Sequence, residues 1–202
     1  MKTRICAAAL AACLTACGGG GGNAGSAGPS TPPVSTGGNL DAYVGTWAST
    51  CASHAVDTAV IARAPGSNTA LTIAVTTQYY ANTACTGDVI ATQVWSAATT
   101  ATYVGTVASS IMPGSVSASV DKVTAQLPQR SVTLTGTFVS HKIIDGQPNW
   151  CIDYAGGSVC VPDRIYGAEP APFDGLAIQG AELVEVKSNG VNYDAVERFT
   201  KR

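Results

Sequence analysis

The chain has 202 residues, with 22 glycines, 10 prolines, 12% charged residues and 6% aromatic residues. That composition is too apolar for a disordered chain and too poor in charge for a long solvent-facing helix or coiled coil. A net charge of −2 without any Lys/Arg run excludes nucleic acid as an expected partner, and the length fits one domain with appendages.

Residues 1–16 read as an export leader. Lys2 and Arg4 form a short positive start, and residues 5–16 form an apolar stretch too short to span a bilayer, which takes roughly 20 apolar residues. The stretch ends in Leu14-Thr15-Ala16-Cys17, which resembles the lipobox of bacterial lipoproteins. The resemblance implies cleavage before Cys17, a diacylglyceryl group on its sulfur and acylation of the new amino terminus. One acyl chain binds a membrane marginally, whereas two or more hold it stably. Cys6 and Cys13 would be discarded with the leader. Gly18, not Asp, follows Cys17, and the same resemblance then implies the outer membrane of a two-membraned bacterium. Loss of Lys2 and Arg4 leaves the mature chain more acidic, so the acyl chains and not charge would hold it on anionic lipid.

Residues 17–38 comprise the lipidated Cys17 and a tether, GGGGGNAGSAGPSTPPVSTGG, with no apolar side chain larger than Val34. Gly and Ser make its first part a flexible coil, Pro32-Pro33 stiffens the second, and the expected reach is roughly 25 Å.

Residues 39–202 read as a single all-β domain. A first strand opens at Tyr43-Val44-Gly45-Thr46-Trp47 and runs toward Cys51. Leu71, Ile73 and Val75 then alternate with Thr72, Ala74 and Thr76, and in the run 131–138 Val132, Leu134 and Gly136 alternate with Thr133, Thr135 and Thr137. The runs DVIATQVW and TATYVGTV lie between them, and turn signals such as Pro65-Gly66, Pro113-Gly114, Asp145-Gly146 and Asn189-Gly190 punctuate the chain. Period-two alternation at short spacing predicts an antiparallel up-and-down barrel or, as the alternative, a β-sandwich. Residues 192–200 read as a last strand because Asn189-Gly190 is a hairpin turn. Small residues expected to face inward, such as Ala74, Ala91 and Ala101, would leave a cavity in a barrel or let two sheets of a sandwich close tightly.

Four cysteines remain after the leader: Cys51, Cys85, Cys151 and Cys160. An exported chain meets an oxidising compartment, so the even count predicts two disulfides, and the absence of C-x-x-C argues against zinc and redox motifs. Cys151 and Cys160 face each other if their loop is centred between Ala155 and Gly156. Cys51 and Cys85 fall at one rim of an up-and-down sheet, about 10 Å apart, unless the loop before Cys85 folds back. The expected pairs are 51–85 and 151–160.

Gly45-Thr46-Trp47 on the first strand resembles the lipocalin signature, in which the Trp closes one end of an eight-stranded barrel. The resemblance implies that an Arg near the chain's end crosses the indole, a role that falls to Arg198. The second lipocalin motif, a Thr-Asp-Tyr type turn, is absent, and no C-terminal helix is apparent.

Few residues in the sequence point to chemistry. His54 and His141 are the only histidines, and no H-E-x-x-H, G-x-S-x-G, P-loop or EF-hand spacing occurs. His54 with Asp57, near Ser49 and Ser53, reads as a solvated turn, and Asp153, Asp163 and Asp174 read as turn caps. The expectation is a domain with no catalytic residues, metal or cofactor. Two functions fit: a barrel holding a small apolar or amphipathic ligand among Ala, Val, Ile and Tyr side chains, or an envelope lipoprotein with a filled core that meets another envelope protein.

Overall fold

Short β-branched runs separated by Gly, Pro, Asn and Asp turns favour strands, and strands with one 3-10 turn form the protein, with no α-helix among the described residues. The computed structural model describes residues 40–154 and 157–202; the leader, Cys17, the tether, Ala155 and Gly156 lie outside them. Tyr43, expected to open the first strand, instead ends the 3-10 turn Leu40–Tyr43. It leads into β1 (Gly45–Ser49), β2 (Ala55–Arg63), β3 (Ala70–Tyr80) and β4 (Val89–Trp95). A long hairpin follows, β5 (Thr99–Met112) and β6 (Val116–Leu127), then the short β7 (Val132–Thr135). Next come β8 (Val139–Ile144), β9 (Gln147–Tyr154), β10 (Gly157–Pro162) and β11 (Glu169–Pro170). The chain closes with β12 (Gly175–Gln179), β13 (Glu182–Ser188) and β14 (Tyr193–Lys201).

Strands β1, β2, β3, β5, β6, β12, β13 and β14 pair in that order, antiparallel throughout, and β14 returns to β1. The ring is narrowest between β6 and β12, where Gly175 faces Lys122 and Leu176 faces Asp121. A barrel and a sandwich pinched along that seam both satisfy these pairings. The remaining strands leave the ring at a fork in β3. Residues 70–73 of β3 pair with β5, whereas residues 76–80 pair with β4, which in turn pairs with β7. A separate sheet, β8–β9–β10, covers that extension.

Alternation along the strands divides the core. Trp47, Ile61, Leu71, Ile73, Phe173, Leu176, Leu183 and Phe199 pack inside the ring, each large side chain contributing about 1.5–3 kcal/mol on burial. Their strand neighbours Ala177 and Val184 point the other way and meet Ile111 and Val120. The far end of the β5–β6 hairpin therefore covers the back of β12–β13, and this part of the sheet is buried on both faces. Ala91 and Ala101 are buried, but Ala74 is exposed, since it alternates with Leu71 and Ile73 and so faces solvent.

Two disulfides crosslink the described residues. Cys151 and Cys160 are directly opposite in register with Cα atoms 4.1 Å apart. Cys51 and Cys85 approach to a Cα separation of 5.7 Å. Asn82 brings this about: its side chain accepts from the backbone N–H groups of Ala84 and Thr86 and donates to the Thr86 carbonyl, folding the loop back across β2.

Candidate functional site

The fork in β3 leaves a gap at one mouth of the ring. Ile73 and Val75 of β3, Thr99 of β5 and Leu127 of β6 line it, and Trp95, Ala97 and Pro172 complete a mostly apolar cleft of about 240 Å³. Residues 169–174 cross this mouth, held by the Ala171 N–H donating to the Ala125 carbonyl (2.9 Å), with Ala171 and Phe173 inserted in the core. A larger depression of about 610 Å³ lies between the β5–β6 hairpin and Val191, but small Ala and Ser side chains line it and it opens broadly to solvent.

Arg130 borders the cleft. Arg130 and Tyr166 exchange backbone hydrogen bonds, N–H to carbonyl, at 3.0 and 2.8 Å. That bridge aims the Arg130 guanidinium across Trp95, 4.9 Å from its ring centre, and 5.8 Å from the centre of Tyr166. Trp95 and Tyr166 themselves meet edge to face at 5.2 Å. The Arg130 side chain is only 10% exposed; it donates to Glu169 Oε1 at 3.0 Å and to the Pro128 carbonyl at 3.4 Å. Desolvation strengthens each of these cation–π contacts, worth about 0.5–2 kcal/mol. This constellation leaves no local pattern in the sequence. Trp95 ends a strand, Arg130 follows a Pro-Gln turn and Tyr166 lies in an irregular segment, so only the long-range backbone bridge unites them.

Trp47 is buried inside the ring, its indole N–H donating to the Tyr43 carbonyl at 2.7 Å. The cation over it is Lys201, not Arg198: the Lys201 Nζ lies 5.3 Å from the ring centre. Arg198 instead donates to Gln179 and Glu182, each at 3.0 Å. The reason is strand phase. Phe199 faces the core, so its neighbour Arg198 must face outward, while Lys201 shares the inward phase and pairs with Trp47 in register.

His54 and Asp57 do not come together. His54 Nδ1 lies 3.2 Å from the Tyr80 carbonyl oxygen and its ring stacks on Tyr154 at 4.5 Å, whereas Asp57 accepts from the Thr77 hydroxyl. His141 lies within β8; its Nε2 is 2.9 Å from Asp163 and its ring 4.7 Å from Trp150. Asp153 accepts from Lys142 and Ser140, which together hold its carboxyl below the usual range. Asp174 accepts from the Ser188 N–H and pairs with Lys187.

A second polar feature went unread in the sequence. Glu185 and Glu197 are directly opposite in register across β13 and β14, at a bulge. Glu185 is buried, and desolvation, with repulsion from Glu197 and Asp57, raises its pKa to about 7. Like charges facing each other across a strand pair destabilise it unless one is neutralised by a proton. Among the described residues no group of three or more His, Cys, Asp or Glu side chains is arranged to hold a metal ion.

Comparison with protein-family models, with curated proteins and with solved structures found no match.

Proposed function

We propose that the protein is a lipid-anchored envelope lipoprotein, non-catalytic, that binds a small apolar or amphipathic molecule at the mouth of its strand ring. The observation that carries this reading is the cleft itself: apolar walls supplied by β3, β5 and β6, with one buried cation at its border. Ligand sites favour concave, mostly apolar surfaces with few polar groups, and the mouths of β-barrels are a common place for them. The anchor rests on the Leu14-Thr15-Ala16-Cys17 motif, and the outer-membrane placement on Gly18.

The lipocalin-like reading draws support from Gly45-Thr46-Trp47 on β1 and from a last-strand cation over the indole. The second reading, an interaction lipoprotein, draws on Ile143, Ile144 and Val159, exposed on the β8–β9–β10 sheet.

Gentle extraction of the full chain from its native membrane, followed by native mass spectrometry, separates the two. A co-purifying small molecule released on unfolding is the expected result. An empty chain, retained instead by a stoichiometric envelope protein, would favour the interaction reading.

A further inference from the structure

Resting on the cleft reading above, we propose that the ligand is a short amphipathic monocarboxylate, its carboxylate bound by Arg130 and its hydrocarbon part lying on Ile73, Val75 and Leu127. Three observations carry this. The guanidinium is nearly buried and fixed by Trp95 and Tyr166, so its donor fork is oriented before any ligand arrives. Its two protein hydrogen bonds use two of the five N–H donors a guanidinium carries. The rest of the lining is aliphatic apart from Trp95 and Thr99.

Charge and size narrow the class. Among the described residues Arg130 is the one charged residue lining the cleft, so a monoanion is matched, whereas a phosphate dianion would bring uncompensated charge against apolar walls. Carboxylates also fit the guanidinium fork in two parallel hydrogen bonds. The volume of about 240 Å³ corresponds to about eight non-hydrogen atoms at roughly 30 Å³ each, which fits a six-carbon acid with its carboxylate oxygens. Glu169 shares Arg130 but is 56% exposed, so its carboxylate can turn to water at little cost when a ligand arrives.

The test is calorimetric titration of the full chain in lipid nanodiscs with hexanoate and with hexanamide, its neutral counterpart, against empty nanodiscs. Hexanoate is expected to bind about tenfold more tightly than hexanamide. In Arg130→Gln the two ligands converge while hexanamide binding stays unchanged. Should that variant fail to fold, Glu169→Gln decides: freed from its partner, Arg130 then binds hexanoate a few-fold more tightly, with hexanamide unaffected. Equal binding of the two ligands by the unaltered chain, or hexanoate binding unmoved by Glu169→Gln, overturns the carboxylate assignment and leaves the cleft reading intact. Binding of neither ligand overturns both.

Discussion

The ammonium of Lys201 sits 5.3 Å from the centre of the Trp47 ring, and Gly45 makes room for it: a Cβ on Gly45 would stand 3.1 Å from Lys201 Cε. Gly45 also holds φ at +140°, a region that residues with side chains rarely adopt. The glycine of the Gly-x-Trp motif thus lets the last strand's lysine stem lie against the first strand. Gly45→Ala is expected to lower stability by about 1–3 kcal/mol in urea unfolding. Lys201→Ala is expected to lower it by about 0.5–1 kcal/mol. Arg198→Ala breaks a half-exposed ion pair with Glu182, worth at most about 1 kcal/mol, and a hydrogen bond to Gln179, and it should leave tryptophan fluorescence unchanged where Lys201→Ala shifts it.

Glu185 gives folding a pH dependence of definite sign. Its folded pKa of about 7 lies above the ordinary 4.5, so the folded chain binds this proton more tightly than the unfolded chain does. The resulting stabilisation is fully present below pH 4.5 and is lost as pH rises through 7. Taken alone the shift corresponds to roughly 3 kcal/mol between those limits. Glu197 is also raised by burial and acts in the same direction. Urea unfolding from pH 5 to pH 8 should show falling stability, and Glu185→Gln should flatten the profile. A rise in stability over that range would contradict the buried Glu185 carboxyl facing Glu197.

The two crosslinks should differ in strength because they close loops of different length. In the chain-entropy model the 34-residue separation of Cys51 and Cys85 corresponds to about 4 kcal/mol, and the 9-residue separation of Cys151 and Cys160 to about 3 kcal/mol. Paired Cys→Ser substitutions, compared by urea midpoint, are expected to rank in that order. The reverse order would mean that native contacts, not unfolded-chain entropy, dominate at the β9–β10 hairpin.

The anchor is tested at Cys17. Labelled palmitate should enter the unaltered chain and not Cys17→Ser, and only the unaltered chain should sediment with membranes. Retention of label and of sedimentation in Cys17→Ser would remove the basis for the lipoprotein reading.

Much of the strand content was legible because a half-buried strand writes its burial into every second residue. Leu71 and Ile73 are buried beside exposed Ala74, and Val132 and Leu134 are buried beside exposed Thr133 and Thr135. Asp145-Gly146 joins β8 to β9 with φ of +50° and +76°, as a two-residue hairpin turn requires. The run 131–138 proved shorter as a strand: β7 ends at Thr135, and Gly136 lies so close to β4 that a Cβ would stand 2.2 Å from the Ile90 carbonyl oxygen. Choosing Arg198 over Lys201 failed on phase, since the two differ by an odd number of residues and alternation places them on opposite faces. The cleft was not legible at all. It depends on β3 changing partners halfway along and on the Arg130–Tyr166 bridge, and neither leaves a local pattern.

The most direct test of ligand binding at the ring mouth is a methyl-resolved NMR titration of the Ile, Val and Leu side chains with hexanoate. Saturable shifts at Ile73, Val75 and Leu127, with Leu183 inside the ring and Val191 on the far hairpin unmoved, are the expected result. Shifts concentrated on Val191 or on Ile143, or no saturable shift at the three cleft residues, would contradict it.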